Sequence, residues 1–62
     1  MQYTDTQSRL DAYKTEETRL LELLAKASTV EDMLAIETRL SDVRYNIESL
    51  TSQLKNWYSQ VS

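Results

Sequence analysis

The chain contains no cysteine, histidine, glycine or proline. Without cysteine it can form neither disulfides nor Cys-based zinc sites, and without histidine it lacks the commonest general base and metal ligand. Without glycine it cannot build the loops that cradle phosphates. Glycine and proline are also the strongest helix breakers, so their joint absence favours long helices.

The chain has no cluster of charges of one sign. Seven Lys and Arg are interspersed with ten Asp and Glu, which gives a net charge of −3. Nucleic acids require clustered cations, and a membrane-surface helix requires a basic polar face. The longest apolar-rich stretch, residues 20–27, contains Glu22 and Lys26 and is too short to cross a bilayer. We therefore expect no nucleic-acid partner and no membrane contact by this segment itself.

Apolar residues repeat every seven positions in the second half of the chain. One series is Met33, Leu40, Ile47, Leu54 and Val61, and the other is Ile36, Val43, Leu50 and Trp57. This a/d pattern predicts a helix that packs in a left-handed coiled coil. We call the stripe of a and d residues along a helix its seam. The first half of the chain has a looser seam, which polar Thr6 and charged Glu17 interrupt.

The two seams are out of phase where the halves meet. Leu24 and Met33 are nine residues apart instead of seven. Two extra residues turn the apolar stripe by roughly 200°, so a continuous helix would place its two halves on opposite sides. The phase break therefore predicts a turn between them.

The residues around this break have the chemistry of helix ends. Thr29 with Asp32, or Ser28 with Glu31, has capping-box spacing. We predict helix one over about residues 3–27, a turn at 28–30, and helix two over about 30–60. A connection this short makes the helices antiparallel neighbours, so the predicted fold is an all-α, antiparallel two-helix coiled-coil hairpin.

Glu17 occupies a core-type position in this hairpin. Antiparallel pairing about the turn places Glu17 near Leu40, with Lys14 and Arg44 within reach, and allows Glu16 to reach Arg39. We interpret Glu17 as a register device, a polar group that costs stability but penalises slipped pairing. The alternative is a switch or recognition point.

Several apolar residues should remain exposed in a single hairpin. Leu21, Leu23 and Leu34 fall outside the narrow seam, and we expect their burial to drive dimerisation into a four-helix bundle. Antiparallel pairing also leaves three residues near the C-terminus, Trp57, Tyr58 and Val61, projecting past the N-terminus of helix one without a partner there. We predict that both groups are possible protein contacts.

The acidic pairs of the chain do not form a chemical site. Glu16 with Glu17, and Glu31 with Asp32, are sequence neighbours whose side chains point about 100° apart on a helix. We therefore predict no catalytic residue, no metal ion, no cofactor and no small-molecule substrate, and we expect that the chain is not an enzyme.

An ordered set of short motifs carries a family resemblance. These are RLLELL at 19–24, TVED at 29–32 and LAIE at 34–37, followed by Leu40, VR at 43–44, IE at 47–48 and Leu50. The chain resembles the helical-hairpin part of a bacterial cell-envelope family catalogued as a domain of unknown function. The resemblance implies a membrane-anchored, lipoprotein-like, extracytoplasmic parent in which β-strands flank the hairpin, and this chain would be an excised fragment.

Two kinds of function remain open from the sequence. The first is a non-catalytic coiled-coil spacer or interaction arm of a larger envelope protein. The second is a stand-alone or engineered helical module that binds another protein through an apolar stripe. A spacer has no saturable partner, whereas a binding module has one whose identity the sequence does not reveal.

Overall fold

Two α-helices joined by a short connection form the hairpin. The computed structural model describes the backbone of residues 3–61 and the side chains of residues 4–56. Helix α1 spans Tyr3–Lys26 and helix α2 spans Val30–Val61. α1 therefore ends one residue before the predicted end. The two helices pack against each other in an all-α hairpin that measures 49 × 15 × 14 Å.

Thr29 forms the start of α2. Its hydroxyl accepts a hydrogen bond from the backbone N–H of Asp32 at 3.1 Å, and its carbonyl accepts one from Met33 at 3.1 Å. These are the bonds of an N-cap residue. At the end of α1, the N–H of Ala27 donates to the carbonyl of Leu24 at 3.2 Å, which tightens the last turn. Of the two predicted caps, the one based on Thr29 is confirmed.

Thr29→Ala should lower the free energy of unfolding by about 0.5–2 kcal/mol, because it leaves a helix-terminal N–H without its partner. Chemical denaturation followed by circular dichroism measures the loss. Ser28→Ala is the matched control, since the Ser28 hydroxyl caps no described residue, and it should change stability by less than about 0.5 kcal/mol. Equal losses in both variants would contradict the assignment of the cap.

Threonines inside the helices bond to the preceding turn. The hydroxyls of Thr15, Thr18, Thr38 and Thr51 each donate to the backbone carbonyl four residues earlier, at 2.7–3.1 Å. This bond satisfies the hydroxyl without breaking the helix, although back-bonding of this kind slightly destabilises helices. The structure thus accommodates a threonine-rich chain in two uninterrupted helices.

The core consists of two small clusters along the interface between the helices. The first contains Leu10, Leu50 and Leu54, and the second contains Leu20, Leu40 and Val43. Tyr13 and Ile47 pack against both clusters and join them. Thr6, a polar seam residue, is also buried. No buried side-chain nitrogen or oxygen in the described part of the chain lacks a hydrogen-bond partner.

Candidate functional site

The core stops before the turn, and this defines the closed end of the hairpin as residues 21–39. None of these residues is buried. Five large apolar side chains here are exposed by between 37% and 69% of their surface: Leu21, Leu23, Val30, Met33 and Leu34. Single exposed apolar residues are ordinary, but a concentration of them at one end of a small molecule is typical of a contact surface.

A groove opens on one flank of the closed end. It has a volume of about 320 Å³ and is lined by Leu23, Lys26, Ala27, Asp32, Ala35 and Ile36. Both helices contribute, so the groove exists only because the chain folds back on itself. Leu21 lies two residues before Leu23, roughly 200° around α1, and therefore faces the other flank. The closed end is thus apolar on both flanks.

An ion pair joins the two helices between Glu16 of α1 and Arg39 of α2. The Arg39 guanidinium donates from Nε and Nη2 to the two carboxylate oxygens of Glu16, at 2.6 and 2.9 Å. These bonds hold the pKa of the Glu16 carboxyl below its ordinary value, against a smaller opposing effect of burial, and raise the pKa of Arg39. The predicted reach of Glu16 to Arg39 is confirmed, and its two-bond geometry aligns the helices.

A second ion pair joins the helices at the neighbouring residue, Glu17. Nε of Arg44 donates to the Glu17 carboxylate at 3.0 Å. Lys14, the other predicted neighbour of Glu17, is exposed and makes no ion pair with any described residue. Arg44 therefore satisfies Glu17 by itself. Both pairs join α1 to α2 in the middle part of the hairpin.

The other residues predicted as contacts differ in where the structure places them. Leu21, Leu23 and Leu34 lie exposed at the closed end. The side chains of Trp57, Tyr58 and Val61 lie outside the described residues. Sequence reasoning missed Val30 and Met33 as parts of the exposed surface. Val30 falls outside the seam in the first turn of α2, a signal that could have identified it, whereas Met33 occupies a regular seam position.

The described residues contain no recognisable chemical centre. Across residues 4–56, no group of three or more acidic side chains is arranged to hold a metal ion. In the same part of the chain, neither helix combines the length and apolar character needed to cross a membrane. The chemical feature of the closed end is an apolar surface with charged side chains, among them Lys26 and Asp32, at its groove.

Comparisons with known proteins identify a family without an assigned function. No curated protein and no solved structure matches the chain. The family described as a domain of unknown function, DUF4349, matches residues 1–62. The match includes both helices, the cap at Thr29 and the closed end. The hairpin therefore belongs to the DUF4349 family of domains of unknown function.

Proposed function

We propose that the hairpin is a non-catalytic arm that presents an apolar contact surface at its closed end, and that it self-associates through that surface. The observation that supports this is the exposure of five large apolar side chains in a stretch, residues 21–39, that contains no buried residue. Burying such side chains against another surface is favourable by about 25 cal/mol per Å².

The geometry suits an arm. Core packing and the two ion pairs hold the helices together along the middle, and the molecule is 49 Å long but only 15 Å wide. The closed end is thereby held far from the opposite end of the hairpin, where α1 begins and α2 ends. A rigid support of this kind positions a contact surface at a distance without using residues for chemistry.

A passive spacer explains less of the structure. A spacer needs only the core and the ion pairs, and its tip could be polar throughout. The apolar closed end favours a contact role over spacing alone. We further propose coiled-coil packing along the seam, a dimer that forms a four-helix bundle, and, from the sequence resemblance, a membrane-anchored envelope protein as the parent.

Sedimentation equilibrium tests the proposal. The average mass of the chain should rise from monomer toward dimer between micromolar and high micromolar concentration. A variant with Leu21, Leu23 and Leu34 all replaced by Gln should remain monomeric with its helicity retained, since Gln and Leu have similar helix propensities. Tyr45→Gln is the matched control, because Tyr45 is exposed on α2 outside the closed end, and it should still associate.

Two results would overturn the proposal. One is a monomer mass and a concentration-independent melting temperature for the unmodified chain at high micromolar concentration. The other is association that survives the triple Gln variant but disappears with Trp57→Ala and Tyr58→Ser. That result would locate the contact at the opposite end of the hairpin.

A further inference from the structure

We infer that the groove on the closed end is a self-docking site for a second copy of this chain, in which the two hairpins lie parallel with their closed ends together. This inference rests on the self-association proposed above and names the surface and orientation of the pair. Two features of the groove carry it, its shape and its unpaired charges, together with the ion pair that already engages Glu16.

The shape is complementary to itself. A two-fold dimer uses the same patch on both copies, so the patch must carry both a projection and a recess that fits it. Leu23 lines the groove and is half exposed, and the small side chains of Ala27 and Ala35 leave space beside it. At about 320 Å³ the groove is at the small end of the range for ligand pockets, so it suits an inserted side chain better than a larger ligand.

The charges of the groove are also complementary to each other. Lys26 is the last residue of α1 and Asp32 lies in the first turn of α2, so the two lie on different helices at a similar distance from the turn. Both line the groove, and the side chain of neither makes a hydrogen bond or an ion pair with any described residue. The groove therefore carries one cation and one anion, each available to a partner.

The unpaired charges select the parallel orientation. With the two-fold axis parallel to the long axis of the hairpins, α1 of one copy faces α2 of the other. Lys26 then meets Asp32 of the second copy, and symmetry forms this pair twice. The complementarity steers the two copies and sets their register.

The opposite orientation pairs the charges less well. With closed ends pointing apart, α1 faces α1 and α2 faces α2, so Lys26 meets Lys26 and Asp32 meets Asp32. A shift along the helix brings Lys26 to Glu22 or Glu16 instead and leaves Asp32 without an opposite charge from the groove. Glu16 lies seven residues before Leu23 and so shares its side of α1. Its two carboxylate oxygens already bind Arg39. Only the parallel arrangement pairs the two charges of the groove, Lys26 and Asp32, with each other, and neither of them forms an ion pair with a described residue of its own chain.

Charge reversal followed by mixing tests the inference. Lys26→Glu and Asp32→Lys should each raise the dimer dissociation constant by about tenfold or more, because each replaces two attractive contacts by two repulsive ones. An equimolar mixture of the two variants should recover a dimer, since Glu at 26 then meets Lys at 32 and Lys26 meets Asp32. Sedimentation equilibrium measures the dissociation constant, and circular dichroism verifies that each variant remains helical.

Matched variants separate docking from effects on the helix ends. Ala25→Glu and Glu31→Lys place the same new charges in the same helical turns but outside the groove lining. They should change the dissociation constant by less than about threefold, the scale of a weak surface charge effect. If they weaken the dimer as strongly as the groove variants, the effect comes from the helix ends and the inference is wrong.

The outcomes distinguish this inference from the proposed function. A monomeric unmodified chain defeats both. A dimer that tolerates Lys26→Glu and Asp32→Lys leaves self-association standing but removes the groove as its site. A dimer that both variants weaken, and that their mixture does not restore, overturns the parallel orientation. The full inference is supported only if both variants weaken the dimer and an equimolar mixture of them restores it.

Discussion

Leu40→Ala is expected to unfold most of the hairpin at room temperature. Leu40 is only 5% exposed and packs in one cluster with Leu20 and Val43. Truncating a buried leucine to alanine typically costs about 2–5 kcal/mol through lost apolar burial and the cavity that remains. The core of a domain of this size rarely supplies more than about 3–5 kcal/mol, so the loss of about 2–5 kcal/mol expected for one such cavity consumes most or all of the stability.

Circular dichroism at a concentration where the chain is monomeric measures this loss. Leu34→Ala is the matched control, because it removes the same atoms from the same helix at a side chain that is 59% exposed. It should change stability by less than about 1 kcal/mol, near the range for surface substitutions. If Leu34→Ala destabilised the monomer as much as Leu40→Ala, the division between core and exposed closed end described above would be wrong.

Glu17→Leu is expected to stabilise the hairpin by about 1 kcal/mol. Glu17 holds a seam position, midway between Leu10 and Leu24 at seven-residue intervals. Its side chain is 29% exposed, and its single hydrogen bond goes to an Arg44 that is itself largely exposed. A pair this exposed contributes little, whereas a leucine there would extend the core on the α1 side.

Thermal and chemical unfolding measure the gain, and Glu16→Leu is the control at the neighbouring residue. Glu16 lies on the flank and holds Arg39 with two bonds, so its replacement should lower the melting temperature. If Glu17 sets the register, Glu17→Leu should also add oligomeric states, visible by sedimentation. Strong destabilisation by Glu17→Leu would show that its pair with Arg44 is net favourable and that the register interpretation is wrong.

The sequence by itself was sufficient to predict the two helices and the turn. Heptad spacing, the nine-residue gap between Leu24 and Met33, and a capping threonine are local features, and each depends only on helix geometry and on residue chemistry within a few positions. The contact of Glu16 with Arg39 could also be predicted from the sequence, because a short turn determines which residues of two antiparallel helices lie opposite each other. Residues at 21, 23 and 34 were identifiable as exposed because they fall outside the seam.

Only the tertiary structure decided where the core ends along the hairpin and which side chains line a groove beside it. Periodicity gives the direction in which Met33 points, but its burial depends on how closely the helices approach near the turn. The groove beside Leu23 and Ala35 is lined by both helices, so it too exists only in the folded chain. Likewise, sequence spacing placed both Lys14 and Arg44 within reach of Glu17, and the folded chain paired Glu17 with Arg44. Among the described residues, it left the side chains of Lys26 and Asp32 without an ion pair. Distances between helices are set by the packing of all side chains together, and no local pattern encodes them.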